Sequence, residues 1–248
     1  HDDLIDGALL RRGETTVNAR WNMGATVLTG DYVFARAAGL AAETGNVRVM
    51  SIFADTLMTI CSGELRQIFD RHNLPRIDGE EAWKEALTRY DRRIHAKTAS
   101  LFAAATEAAS VLSGAPDEEV DALREYGWCL GTAFQIVDDI LDFQGDQDVL
   151  GKPVGSDLRE GIVTLPVLYF LRQHPEDEKV AKVVQDSGDE GLVQEIVSAI
   201  QESGAMAQAM DRARKFITRS QAALTALPQG ETRNNMHALA DFTVSRKV

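Results

Sequence analysis

Residues 134–143 read FQIVDDILDF. Apolar side chains fill nearly every position not held by Asp138, Asp139 or Asp142. Asp is a poor residue for a helix interior, and unpaired charge is costly to bury. On a helix, positions i and i+4 share one face about 6 Å apart along the axis, and position i+1 lies about 100° around. Asp138 and Asp142 therefore point the same way, with Asp139 beside them. A solvated helix face would mix Lys, Glu, Gln and Ser, but here the only charges are Asp. Two carboxylates at that separation repel by roughly 3 kcal/mol at an effective dielectric of about 20. Something positive must compensate, or a proton must be held. Hard divalent cations with oxygen ligands fit best, and Mg²⁺ usually completes its shell with water and substrate phosphates. For one such cluster alone, a solvated patch or a set of capping acids explains the residues equally well.

Outward from this segment, a three- to four-residue period dominates. The helix carrying it is expected over Glu118 to Phe143. Before it, "SGAPDEEV" supplies a stop at Gly114 and places Pro116 in a first turn with acids behind it. "RIDGEEAWKEAL" offers Asp78 as an N-cap, and that helix is expected to run on through Lys97 to Leu112. Val47 to Phe69 repeats Ile52, Phe53, Thr56, Leu57 and Ile60 on one face. Trp21 to Ala42 is helical in composition, with a break expected at Gly30 and Asp31. Residues 145 to 161, "GDQDVLGKPVGSDLREG", look like the longest loop. Shorter helices follow, divided near "QHPED", "DSGDEG", "ESGA" and "LPQGE". No strand pattern persists, so the chain is expected to form a single all-α domain.

Bulk composition narrows the function. The chain has 248 residues, 44% of them hydrophobic, with a net charge of −12. That acidity argues against a nonspecific nucleic-acid partner, which needs a basic surface. Cys61 and Cys129 form no CxxC or Cys/His cluster, so zinc is not supported. Free thiols, no secretory signal and no apolar run near membrane-spanning length point to a cytoplasmic protein.

The opening residues give the Asp triplet a partner. "HDDLID" places Asp2, Asp3 and Asp6 in the same D-D-x-x-D spacing. Two matches are far more specific than one. Arg11 and Arg12 follow the first triplet, and a planar guanidinium donates several hydrogen bonds to phosphate at once. Lys97 lies among Ala, Leu and Phe. Lys152 sits in the Gly-rich stretch, where a solvated loop lysine would look the same.

In this order, "DDLIDGALLRRGETTVN", "GDYVFARA", "GELRQ", "KTASLF", "FQIVDDILDF", "GKPVGSDLREG" and "TLP" resemble the all-trans polyprenyl diphosphate synthases over nearly the whole length. The resemblance implies the terpenoid synthase fold, an orthogonal helix bundle around a central active-site cavity. It implies several Mg²⁺ ions, with Mn²⁺ as an alternative, held by Asp2, Asp3, Asp6, Asp138, Asp139 and Asp142. Arg11 and Lys97 then bind the allylic diphosphate, and Arg12 binds isopentenyl diphosphate. Thr98 lies near the reacting carbons, and Gln135 contacts the homoallylic substrate. Gln67 belongs to the helix wall facing the metals, and Lys152 is a phosphate ligand. Asp2, Asp6, Asp138, Lys97 and Thr98 form the catalytic set.

The implied reaction is transfer of an allylic group to isopentenyl diphosphate with release of diphosphate. A homodimer is implied too, with Val27 to Leu40 and Val47 to Phe69 as candidate contacts, and at most a loose membrane association through the lipidic product. Family members often carry Lys where this chain has Ile162. They also carry a Gly-Gly-Lys-Arg-x-Arg-Pro segment upstream of the first triplet, so the chain is expected to lack the family's N-terminal helices. The Ala-rich walls around Ala35, Ala37, Ala38, Ala103 to Ala105, Ala108 and Ala109 lean toward a medium or long product. A terpene cyclase is the first alternative, though it would replace the second triplet. A regulatory subunit of a hetero-oligomeric synthase is the second, though such subunits tend to lose the triplets that this chain keeps.

Overall fold

The computed structural model describes residues 1–11, 13–144, 154–185 and 189–246. It divides into two compact units, residues 1–54 and 55–248.

The first unit opens with α1 (Asp2–Ile5), a single turn. Two short strands follow, β1 (Leu10–Arg11) and β2 (Glu14–Thr15), paired antiparallel with Leu10 opposite Thr15. This ribbon was not foreseen, because two-residue strands leave no period to detect. Helix α2 (Val17–Arg20) leads to α3 (Met23–Glu43), whose first turn is capped by the Asn22 side chain accepting from the Ala25 amide at 2.9 Å. A cap of this kind satisfies an otherwise orphaned amide. The break expected at Gly30 and Asp31 does not occur. Gly30 continues the helix and leaves room for the His1 imidazole, whose Nε2 would lie 2.5 Å from a Cβ at that position. Its role is close approach rather than a turn. Helix α4 (Val47–Asp70) starts in this unit and ends in the second, and the periodic residues Ile52, Phe53, Thr56, Leu57 and Ile60 are all half-buried.

In the second unit, α5 (Glu80–Ile94) passes into a π-helical turn (His95–Ala99) and then α6 (Ser100–Leu112), so the long helix expected through Lys97 forms with one widened turn. Asp78 does not cap it. Its carboxylate pairs with Arg76 at 3.1 Å, and Gly79 takes the cap position with φ +90°. Helix α7 (Asp117–Gln144) carries Asp117, Glu118 and Glu119 in its first turn, where acids favour the positive end of the helix dipole. Pro116 precedes the helix rather than lying in its first turn, and its carbonyl accepts from the Val120 amide at 3.0 Å.

Beyond α7 come α8 (Ser156–Arg159), α9 (Leu165–Gln173), α10 (Glu178–Gln185), α11 (Glu190–Glu202), α12 (Ala205–Ala223), a 3₁₀ turn (Leu224–Ala226) and α13 (Glu231–Ser245). All four expected divisions fall between these helices. Residues 145–153 of the expected loop lie outside the described residues. The remainder, 154–161, holds a turn and α8.

Helix α7 is the centre of the second unit and packs against α6, α12 and α13. Gly127 makes the approach of α6 feasible, since a Cβ there would meet Thr106 Oγ1 at 2.3 Å. Ile136, Val137, Ile140 and Phe143 are at most 1% exposed. Each such side chain contributes about 1.5–3 kcal/mol when fully buried. That burial anchors the Asp-bearing end of α7 in the core and fixes where its carboxylates emerge.

Candidate active site

The three carboxylates of α7 meet three different environments. Asp139 is 3% exposed. Its Oδ2 accepts from the Tyr90 hydroxyl of α5 at 2.8 Å, and its Oδ1 accepts from Gln135 Nε2 at 2.9 Å. Gln135 Oε1 in turn accepts from the Thr98 hydroxyl at 2.6 Å. Thr98, Gln135 and Asp139, expected as site residues, thus form one hydrogen-bonded chain that ends on Tyr90. Burial pushes the Asp139 carboxyl up to about 6, opposed first by the charge of Arg93 and then by the bonds from Gln135 and Tyr90. Burial, followed by the facing Asp139 charge, pushes the Tyr90 hydroxyl well above its ordinary value. Tyr90 therefore remains a proton donor to Asp139.

Asp138 is half-buried. Its Oδ1 lies 2.5 Å from Arg246 Nη2. The same nitrogen donates to the Phe134 carbonyl at 2.8 Å, and the guanidinium stands 3.9 Å from the Phe134 ring centroid. Burial raises the Asp138 carboxyl, and Arg246 opposes that shift. Asp142 turns to α8: its Oδ1 accepts from the Ser156 hydroxyl at 2.6 Å and amide at 3.1 Å, and its Oδ2 from the Asp157 amide at 3.3 Å. This places Asp157 beside the triplet. Burial and then the neighbouring Asp142 and Asp139 charges push the Asp157 carboxyl upward.

Lys97 and Thr98 belong to the π-helical turn. Such widened turns occur mostly as single insertions, frequently at functional sites. Gly63 of α4 allows that turn to come close, since a Cβ there would lie 2.4 Å from Ala96 Cβ. The Lys97 ammonium then sits 3.3 Å from Glu64. Gln67, one turn further along α4, is 8% exposed and lines a cavity together with Tyr90 and Arg93.

In the first unit, the Asp6 amide bonds to the Asp2 carbonyl at 2.9 Å, so these two residues lie one helical turn apart as their spacing requires. Asp2 is exposed, and Asp3 and Asp6 are half-buried. Arg11 Nε donates to Asp3 Oδ1 at 2.5 Å, and that bond chiefly raises the guanidinium's already high pKa. Thr16 and Asn18 hold the turn after α1 by donating to the Ala8 carbonyl at 2.7 and 3.0 Å. Arg12 and Lys152 lie outside the described residues.

Among the described residues, no three acidic, His or Cys groups already form a metal cage. The carboxylates of α7 are instead engaged by Tyr90, Gln135, Arg246 and Ser156. Their chemistry nevertheless suits a hard cation. Asp142 and Asp157 are adjacent all-oxygen donors, and a divalent charge between them would offset the burial and repulsion that raise Asp157. Three contributors were not singled out from the sequence. Asp157 lay within a quoted motif, "GKPVGSDLREG". Tyr90 carries no local signal beyond its place on the apolar face of α5. Arg246 is 108 residues from its partner.

A family model described as Polyprenyl synthetase matches residues 1–200. Heptaprenyl diphosphate synthase component 2 of Geobacillus stearothermophilus is 40% identical over 249 residues, covering 99% of this chain and 74% of that protein. Octaprenyl diphosphate synthase of Escherichia coli is 34% identical over 248 residues, covering 99% and 74%. Among solved structures, a polyprenyl synthase from Caulobacter crescentus complexed with calcium and isoprenyl diphosphate has a TM-score of 0.90 at 36% identity, covering 100% of this chain and 74% of that one. Heptaprenyl diphosphate synthase from Staphylococcus aureus has a TM-score of 0.91 at 30% identity, covering 100% and 75%.

Proposed function

This chain belongs to the polyprenyl synthetase family and is a prenyltransferase with that family's all-α fold. From that premise we propose that it condenses isopentenyl diphosphate onto an allylic diphosphate in a Mg²⁺-dependent reaction and makes a medium- or long-chain polyprenyl diphosphate. Residues 1–248 are read as one polyprenyl synthetase domain.

Asp2, Asp3, Asp6, Asp138, Asp139, Asp142 and Asp157 would hold the ions. Bound Mg²⁺ supplies Lewis-acid neutralisation of the departing diphosphate. Arg11 and Lys97 bind the allylic diphosphate with fixed positive charge, Lys152 is a further phosphate ligand, and Arg12 binds the homoallylic diphosphate. When the allylic C–O bond breaks, its electron pair leaves with the diphosphate. The double bond of isopentenyl diphosphate then attacks the allylic carbon, and a proton passes to the released diphosphate as its C–H electron pair re-forms an alkene. Thr98 lies near the reacting carbons, and Gln135 contacts the homoallylic substrate. Asp139 acts as a positioning residue: it holds the Gln135 amide so that Oε1 receives the Thr98 hydroxyl. The apolar stretch 134–143, whose charges are all carboxylates, keeps water from the cation, which water would destroy.

The observation that carries this reading is the hydrogen-bonded chain Thr98–Gln135–Asp139–Tyr90, which joins two residues read as facing substrate to the second triplet. Relatives named as heptaprenyl, octaprenyl and nonaprenyl synthases support a long product. Exposed apolar residues of α3, among them Leu28, Tyr32 and Val33, support a homodimer. The test is incubation of the purified chain with farnesyl diphosphate, labelled isopentenyl diphosphate and Mg²⁺. Diphosphate release and products well beyond C15 are expected. A C20 product alone, one condensation beyond the C15 primer, refutes the chain-length reading, and no elongation refutes the reaction by this chain alone.

A second reading is favoured by one observation. Two of the relatives are named component 2 of a heptaprenyl synthase. In that reading the chain carries the catalytic residues but needs a different subunit to turn over. Activity of the chain alone removes it.

A further inference from the structure

Helix α7 meets the π-helical turn with one stripe of its surface. Trp128, Gly131 and Gln135 are spaced three and four residues apart, so they share a face over two helical turns. Gly131 permits a close approach, since a Cβ there would lie 2.8 Å from Ala99 Cα. Ahead of that gap, Trp128 Nε1 donates to His95 Nδ1 at 2.9 Å. Beyond it, Gln135 Oε1 accepts from the Thr98 hydroxyl at 2.6 Å. Lys97 lies in sequence between the two tied residues. From this geometry we propose that Trp128 is a positioning residue: through His95 it sets the direction in which Lys97 leaves the turn, and so how tightly the allylic diphosphate is held. The inference deepens the proposed function and rests on its reading of Lys97.

A π-helical turn is a rare conformation, so its surroundings must select it. Close contacts do part of this. Gly63 of α4 and Gly131 of α7 let their helices press on Ala96 and Ala99. Such contacts have no direction: they fix how near the turn comes, not its rotation about its own axis. Hydrogen bonds are directional, and α7 supplies one to His95 and one to Thr98. Without the Trp128 bond, the side-chain tie from α7 is left to Thr98 among the described residues.

Trp128 is itself aimed from outside the site. Phe216 of α12 meets the indole edge-on, with ring centroids 5.7 Å apart and planes at 80°. The Arg219 guanidinium stands 4.7 Å from the indole centroid and pairs with Glu125, close to one turn before Trp128 on α7. An edge-on ring and a cation over the face each favour one orientation of the indole. Trp128 is half-buried, so its N–H could have pointed to water. It points to the turn instead. Burial lowers the His95 pKa, which favours the neutral ring with a free lone pair on Nδ1.

Trp128→Phe keeps an aromatic ring and removes the N–H, so it separates positioning from packing. The first measurement on the full chain needs no ligand: amide hydrogen exchange read by mass spectrometry. Exchange across residues 95–99 is expected to quicken about 2–10-fold, the span that one neutral hydrogen bond carries, with residues 165–173 of α9 unchanged. The second is steady-state kinetics with farnesyl diphosphate, isopentenyl diphosphate and Mg²⁺. The allylic KM is expected to rise by about the same factor while the isopentenyl KM stays within about twofold, the mark of lost binding to one substrate. His95→Ala is expected to match Trp128→Phe, and the double variant to do no more than either, since all three break one contact. His95→Asn keeps an acceptor and is expected to hold the parent's values. Unchanged exchange across 95–99 overturns the proposal. So does faster exchange with both KM values unchanged or both raised alike, which leaves Trp128 a packing residue. A parent chain that does not turn over sinks the proposed function of the chain alone, while the exchange arm and a calorimetric Kd for farnesyl diphosphate still judge Trp128.

Discussion

Asp2, Asp3 and Asp6 repeat the spacing of Asp138, Asp139 and Asp142, yet the two triplets occupy different media. The first lies on a single helical turn, at or near the surface, with Arg11 on Asp3. The second emerges from the central helix of its unit, and each of its carboxylates is held by a named partner. The same five-residue pattern therefore carries different energetics. In the first triplet, solvent screens the repulsion. In the second, burial raises Asp138 and Asp139, and only hydrogen bonds and two arginines oppose it. Spacing specifies what the residues can bind, while burial decides how strongly each position is fixed before anything binds.

The sharpest way to break this comparison is to ask whether both media serve one reaction. Asp2→Asn and Asp138→Asn are each expected to lower turnover by about 10²–10³-fold, the scale for removing one electrostatic contact to a transition state. Initial rates of diphosphate release measure this. A large loss in only one variant would mean that the triplets do not share the work.

Stability should separate the triplets where activity does not. Asp139→Ala strands the Tyr90 hydroxyl and the Gln135 amide, and orphaned buried donors cost about 1–3 kcal/mol each. Asp3→Ala, in a half-exposed setting, is expected to stay within about 0.5 kcal/mol. Urea unfolding of the two variants gives the comparison directly. Asp139→Asn sharpens it, because the amide keeps one acceptor and removes the cost of a buried charge, so it should fall between them.

A packing change tests the other support of the second site. Gly63→Ala drives a methyl to within 2.4 Å of Ala96 Cβ. Overpacking of this sort costs about 1–3 kcal/mol. The π-helical turn bearing Lys97 must shift to relieve it, so the KM for the allylic substrate is expected to rise along with the loss of stability. A stability loss with no change in KM would show that the turn absorbs the methyl without moving Lys97.

What the sequence displayed follows the same divide. Helix α7 was legible to within one residue at each end, because a long apolar period with acidic interruptions has few other readings. Spacing and motif singled out both triplets, Gln135 and Thr98, and the structure joins Thr98 and Gln135 to Asp139 by hydrogen bonds. The ribbon of Leu10 and Thr15 was not, since pairing of two residues is set by the turn between them. Gly30 was misread as a breaker because sequence cannot show that an imidazole 29 positions earlier needs the space. Tyr90 and Arg246 were invisible for a related reason. Their roles depend on partners 49 and 108 residues away, and nothing local distinguishes a tyrosine that meets a carboxylate from one that meets a leucine.

The smallest effect expected comes from His95, at the start of the same π-helical turn. Its Nδ1 accepts from the Trp128 indole at 2.9 Å, so the neutral ring is the form the fold requires. Burial lowers its pKa below the ordinary value. The unfolded chain binds that proton more readily than the folded one. The stabilisation is therefore complete above the unfolded pKa of about 6.5 and is lost as pH falls from there through the lowered folded value. Losing one neutral hydrogen bond is worth about 0.5–1.5 kcal/mol. His95→Asn keeps an acceptor without titrating, so its stability should decline less than that of the parent between pH 7 and 5. Equal slopes would mean that protonation of His95 is accommodated in the fold and that the Trp128 contact does not depend on the neutral ring.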